Sequence, residues 1–149
     1  WPDHIPAGSV VDAPLSTLDY LPTVQRIVDY PMQPSRPIDG IDMLPILLGK
    51  PVVRTPIPFR VGKTASLIDG RYKLVIRDYA GRQSELYDLQ VDLEERLSIA
   101  ADHTDVVKRM TDTLQTIEAS VRNSHAGGDY ETRFAPSEPW VPLVNPDTN

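Results

Sequence analysis

Three histidines, a Gly-Lys-Thr step and a concentration of cations are the parts of this chain with chemical potential. His4, His103 and His125 lie in three separate segments, and none has a second histidine two to four positions away. The spacing of a helical or loop metal site is therefore missing, and surface histidines are the expectation. Gly62-Lys63-Thr64 resembles the end of a phosphate-binding loop. That loop needs a glycine five positions earlier, where Ile57 stands, so the match fails. Asp92, Glu94, Glu95 and Arg96 read as a solvated charge run, Asp69 as a turn residue, and Asp102 and Asp105 as helix-start residues. No pair of catalytic carboxylates emerges from the spacing. The cations say more: Arg54, Arg60, Lys63, Arg71, Lys73, Arg77 and Arg82 crowd one window whose acids are Asp69 and Asp78. They are either solvent-facing strand positions or a positive face for an anionic ligand such as a sulfated sugar.

The elements that would carry these residues follow from periodicity. Ser16 or Thr17 caps an expected helix with Leu18, Leu21, Val24, Ile27 and Val28 on one face, and Pro22 is tolerated near its start. A second short helix follows Asp39-Gly40, apolar nearly all round through Met43, Leu44, Ile46, Leu47 and Leu48, and ends at Gly49. Strands are expected at Ile57–Val61, confined to an edge by Pro56 and Pro58, at Ala65–Ile68, after Asp69-Gly70 and from Ser84 to Leu89. Asp69-Gly70 suggests a type I′ hairpin, and Tyr72, Leu74 and Ile76 alternate with Lys73, Val75 and Arg77 as in a half-buried strand. Val107, Met110, Leu114, Ile117 and Val121 mark an amphipathic helix ending near Asn123, capped by Asp102 or Thr104. Gly127-Gly128 then breaks the chain before a proline-rich tail with Trp140 as an isolated anchor.

Composition bounds the function. The 149 residues are one domain's worth, with a formal charge of −6 that argues against a nucleic-acid partner. No apolar run reaches the roughly 20 residues of a membrane helix, so no membrane is expected as a partner. Cysteine is absent, which removes disulfides and a cysteine nucleophile from this chain. The chain opens on Trp1, which is not a translation start, so an address can lie upstream.

Five passages, taken in order, resemble the C-terminal third of arylsulfatase-type sulfatases of the alkaline-phosphatase-like superfamily. They are Trp1-Pro2-x-x-Ile5-Pro6-Ala7-Gly8 and Asp12-x-Pro14-x-Ser16-x-x-Asp19-x-x-Pro22-Thr23; Asp39-Gly40-Ile41-Asp42-Met43-Leu44-Pro45-Ile46-Leu47-Leu48-Gly49; Asp69-Gly70-Arg71-Tyr72-Lys73-Leu74 with Glu85-Leu86-Tyr87-Asp88-Leu89; and His103-Thr104-Asp105-Val106-Val107. Asp92-Leu93-Glu94-Glu95 departs from the family's Asp-Pro-x-Glu, which touches a local turn.

The resemblance implies an α+β fold: the end of an alkaline-phosphatase-like α/β domain over residues 1–50, then an antiparallel sheet of about four strands packed by a helix over 51–123, with an extended tail over 124–149. It implies a parent enzyme hydrolysing sulfate esters with a formylglycine nucleophile and a calcium ion. The nucleophile's Cys/Ser-x-Pro-x-Arg motif is absent here. Ser35-Arg36-Pro37-Ile38-Asp39 and Ser137-Glu138-Pro139-Trp140-Val141 both fail at the arginine. No catalytic residue and no metal ligand is therefore assigned, and the chain by itself is expected to be inactive. Its expected partners are the rest of the same enzyme and a sulfated small molecule or glycan, in a periplasmic or extracellular setting. Arg60, Lys63, Arg77, Asp78, Tyr79 and Arg82 are the substrate-rim candidates. Two alternatives stand beside this reading: a free-standing anion- or glycan-binding module, and the end of a phosphate or phosphonate ester hydrolase.

Overall fold

The computed structural model describes residues 1–30, 38–77 and 83–129. The expected loop at 31–37, the rim candidates Asp78, Tyr79 and Arg82, both serine decoys in whole or part, and the tail with Trp140 lie outside the described residues. The chain divides into two compact units, Trp1–Thr55 and Pro56–Asn149.

In the first unit, Ser16 starts a 3-10 turn, Thr17–Asp19, that runs into helix α1, Tyr20–Ile27. Ser16 and Asp19 form a reciprocal capping box: the Ser16 side chain accepts from the turn's backbone, and the Ser16 N–H donates to Asp19 Oδ2 at 2.7 Å. The expected apolar face of α1 forms, but nothing in its own unit covers it. Leu18, Leu21, Val24, Ile27 and Val28 are all exposed. Helix α2 is shorter than the sequence suggests, only Leu44–Leu47, and its two buried residues are Met43, at the cap position, and Ile46. Pro45 lacks an N–H and fits only the first turn, so the helix has little length to gain. Such an exposed stripe binds hydrophobic dye. Leu21→Ser with Val24→Ser is expected to remove most of the dye fluorescence of the isolated chain, and unchanged fluorescence would show that the stripe is covered.

The second unit is a four-stranded antiparallel meander, β1 Ile57–Val61, β2 Thr64–Asp69, β3 Tyr72–Ile76 and β4 Ser84–Asp88, in that spatial order, followed by helix α3, Thr104–His125. The proline-bearing β1 is an edge strand, as its missing donor requires. Ala65, Leu67, Leu74, Ile76 and Leu86 present one face to Met110 and Leu114 of α3, and these residues make the core. Burial is not one-sided, however. Val75 and Tyr87, on the opposite face, are also buried, so β3 is a two-faced strand rather than a half-buried one.

Three local expectations are corrected. Asp69 pairs with Tyr72, which leaves Gly70-Arg71 as the two-residue loop, and positive φ occurs at Gly70 but not at Arg71. That is the II′ pattern, with glycine at the first central position, not a type I′ turn on Asp69-Gly70. The same device closes β1–β2: Val61 pairs with Thr64, and Gly62 has φ +57. Gly62-Lys63-Thr64 is thus a hairpin, which is why a phosphate loop reading had nothing to stand on. Finally, neither Asp102 nor Thr104 caps α3. His103 holds the cap position and makes no side-chain cap bond. Its ring instead tilts against Tyr72, so His103 is half-buried, as is His125, and only His4 is exposed.

Candidate functional site

Antiparallel order puts the β1–β2 hairpin and the β3–β4 connection at one end of the sheet and the Gly70-Arg71 turn at the other. Arg60, Lys63 and Arg77 therefore share an end. Thr64 Oγ1 donates to the Arg77 carbonyl at 3.2 Å, which ties β2 to the start of the β3–β4 connection. The two arginines point to opposite faces. Arg60 pairs in register with Ala65 on the helix side, and its guanidinium lies 3.6 Å from Glu118 of α3. Arg77 lies on the other face, donating to Glu85 at 2.8 Å. Lys63 is exposed at the hairpin tip.

The cationic window is less positive in space than along the chain. Arg54 pairs with Asp19, Arg60 with Glu118, Arg71 with Asp88, Lys73 with Glu95 and Arg77 with Glu85. Every one of those carboxylates comes from outside the window of residues 54–82. Lys63 forms no ion pair among the described residues, and Arg82 lies outside them. The hydrogen bond and charge of Glu85 raise the Arg77 pKa above its ordinary value, and the Asp88 hydrogen bond does the same for Arg71. Tyr87 shifts upward too, first from burial and then from Glu85 beside it. Asp92 is no idle surface charge: its carboxylate accepts the Arg96 and Leu97 N–H groups and is held below the usual carboxylate range by those bonds. The turn that departs from the family pattern is built on it.

A second constellation was not read from the sequence. Asp19, 1% exposed, accepts from the Ile41 N–H at 3.0 Å and pairs with Arg54 at 2.7 Å. Thr23 Oγ1 accepts from the Met43 N–H at 2.9 Å. Gly40 passes so close that a Cβ would collide with the Leu18 carbonyl. Asp19, Thr23 and Gly40 thus clamp α1 to the segment leading into α2, and Arg54 closes the clamp. The legible signal was Ser16-x-x-Asp19, a capping-box spacing; the partners of Asp19 beyond the box were not legible.

Among the described residues, no group of three His, Cys, Asp or Glu side chains is placed to hold a metal ion. No helix among them is long and apolar enough to cross a membrane. At the sheet end Arg60 and Arg77 are paired with carboxylates, Lys63 is exposed, and the described residues there offer no nucleophile paired with a base.

No family model matches the chain. Human steryl-sulfatase is 44% identical over 50 residues, which are 34% of this chain and 9% of that enzyme. N-acetylgalactosamine-6-sulfatase of Sus scrofa is 35% identical over 74 residues, 49% of this chain and 14% of that enzyme. The crystal structure of Ps i-CgsB superposes with a TM-score of 0.68 at 20% identity, covering 78% of this chain and 27% of that one. A putative sulfatase from Bacteroides thetaiotaomicron superposes with a TM-score of 0.56 at 19% identity, covering 73% of this chain and 25% of that one, so the fold is shared with a part of each of these solved chains. By sequence, stretches of 50 and 74 residues of this chain are similar to sulfatases. It spans only about a tenth of the length of the curated relatives it matches.

Proposed function

We propose that this chain is the C-terminal part of a sulfuric ester hydrolase, serving as scaffold and pocket rim while the catalytic residues lie elsewhere in the same enzyme. The observation that carries the reading is sulfatase similarity in sequence and fold, joined to the absence of any Cys/Ser-x-Pro-x-Arg in the 149 residues. Calcium and formylglycine belong, in this reading, to the rest of the enzyme. The described residues do not fit a calcium site, so no step through the ion is assigned to them. The exposed stripe on α1 supports a scaffold role, since an apolar face of that size favours burial against a further surface. The substrate is a sulfated small molecule or glycan, and the compartment is periplasmic or extracellular.

The test is an assay of the complete open reading frame containing this chain, with p-nitrophenyl sulfate and p-nitrophenyl phosphate side by side. Sulfate hydrolysis by the complete enzyme, and none by the chain alone, is expected. Preferential phosphate or phosphonate ester hydrolysis would overturn the sulfatase assignment.

The rim role has its own prediction. Lys63→Glu in the complete enzyme raises KM for an anionic substrate about five-fold with kcat unchanged, the effect of roughly 1 kcal/mol in binding. Arg71→Glu, at the other end of the sheet, leaves KM alone. Equal responses at the two positions would remove the hairpin tip from the rim.

A further inference from the structure

The two edges of the sheet are treated differently. Along β4, the Leu86 N–H donates to Ser98 Oγ at 3.2 Å, and the Leu86 carbonyl accepts from the Ile99 N–H at 2.8 Å. The segment after β4 therefore covers that edge. β1 forms the other edge, and among the described residues no strand pairs with its outer side. Its second half is exposed, Phe59 by 46% and Val61 by 81%. Main-chain groups in a row beside exposed apolar side chains are a template for a further strand. The register shows which groups point outward. A two-residue hairpin closes on a hydrogen-bonded pair, here Val61 and Thr64, and bonding alternates along each antiparallel strand. Ile57, Phe59 and Val61 therefore bond to β2, and the main chain of Pro58 and Arg60 faces away from it. On that outer side Pro58 presents a ring carbon where another residue presents an N–H.

We propose that Pro58 keeps β1 from pairing with the β1 of a second copy of this chain. Two β1 strands that meet antiparallel on a two-fold axis at position 58 set each residue 58 opposite the other. Any residue but proline then exchanges both N–H to carbonyl bonds across the axis. With proline both bonds are lost, two carbonyls are taken from water without a donor, and the rings fill the space between the strands. Centring the pair on Phe59 instead sets position 58 opposite position 60 of the other copy, and half of the bonds are still lost. The chain's own fold loses nothing by the proline, because β2 never calls on an N–H at position 58. The residue thus acts against self-association alone, at the edge that the segment after β4 does not reach.

Sedimentation of the full chain is the test, with the α1 stripe silenced in every sample by Leu21→Ser and Val24→Ser. While Pro58 is kept, the sedimenting mass is that of one chain over about a hundred-fold range of concentration. With Pro58→Thr it rises toward about twice that mass at the upper end of the range. Hydrogen exchange locates the contact: the new amide at position 58 gains protection as concentration rises, and the Gly70-Arg71 turn does not. Adding Phe59→Lys, a charge on the same edge, returns the mass to that of one chain. A Pro58→Thr chain that stays single at every concentration overturns the proposal. So does a dimer formed while Pro58 is kept, and so does a dimer whose amide at position 58 is unprotected, since its contact lies elsewhere. Pro58→Ala supplies the same N–H on a smaller side chain and repeats the reading if Pro58→Thr does not fold.

Discussion

Asp19→Ala costs the first unit about 3–5 kcal/mol, the loss that follows when one partner is taken from a buried ion pair and the other stays behind. Asp19 is 1% exposed and Arg54's side chain 11%, so the guanidinium left in the variant has little water to turn to. The same substitution removes the acceptor of the Ile41 N–H and one half of the Ser16 capping box. Hydrogen exchange at the Ile41 amide is the measurement, and protection falls by about two to four orders of magnitude at that cost. A change below ~1 kcal/mol would mean that Asp19 is not the clamp described above. Acid titration adds a second arm. Burial by itself raises the Asp19 pKa, but Arg54 and the Ile41 and Ser16 amides outweigh it and hold the carboxyl below 3.8. A native pKa depressed in this way contributes stability that is whole above the unfolded-state value and is lost as pH falls through the native one. The gap between the natural protein and Asp19→Asn therefore narrows below about pH 4. A gap that stays constant to pH 2 would contradict the assignment.

Leu86→Ala is expected to destabilise the second unit by about 2–5 kcal/mol, the range for a buried leucine whose cavity cannot collapse. Leu86 is 0% exposed, packs with Leu67, Leu74 and Met110, and its backbone also binds Ser98 and Ile99. Relaxation at the site is therefore restricted from both the side chain and the main chain. Leu97→Ala is the control: Leu97 is 72% exposed, and its loss stays within about 0.5 kcal/mol. Urea midpoints of the two variants separate them. Equal midpoints would place the core somewhere other than between the sheet and α3.

Much of this was legible because its causes are short-ranged. The run Tyr72-Lys73-Leu74-Val75-Ile76 reads as a strand from its own residues, and Val107 through Val121 as a helix from its own spacing. The prolines at 56 and 58 placed β1 at an edge before any partner was known. Turn type was harder. Asp69-Gly70 and Gly70-Arg71 both offer a glycine, and only the register Asp69 to Tyr72 decides which pair is central. The cap of α3 failed for a similar reason, since Asp102, His103 and Thr104 are adjacent and the chain's entry angle selects one.

The charges were not legible at all. A window holding seven cations and two acids reads either as solvent-facing strand positions or as a positive face, but Glu85, Asp88, Glu95 and Glu118 arrive from later elements and Asp19 from an earlier one. Lys63 stands apart: it is exposed at the tip of a two-residue hairpin and forms no ion pair among the described residues. The sequence by itself determined the four strands, the closing helix, the relation to the sulfatases and the lack of a catalytic motif. Tertiary structure decided which cations are neutralised, why Gly40 has no side chain and what Asp19 holds. Periodicity and turn chemistry act over a few residues, so one segment carries them whole. Ion pairs and close backbone approaches join segments whose meeting depends on the packing of everything between them.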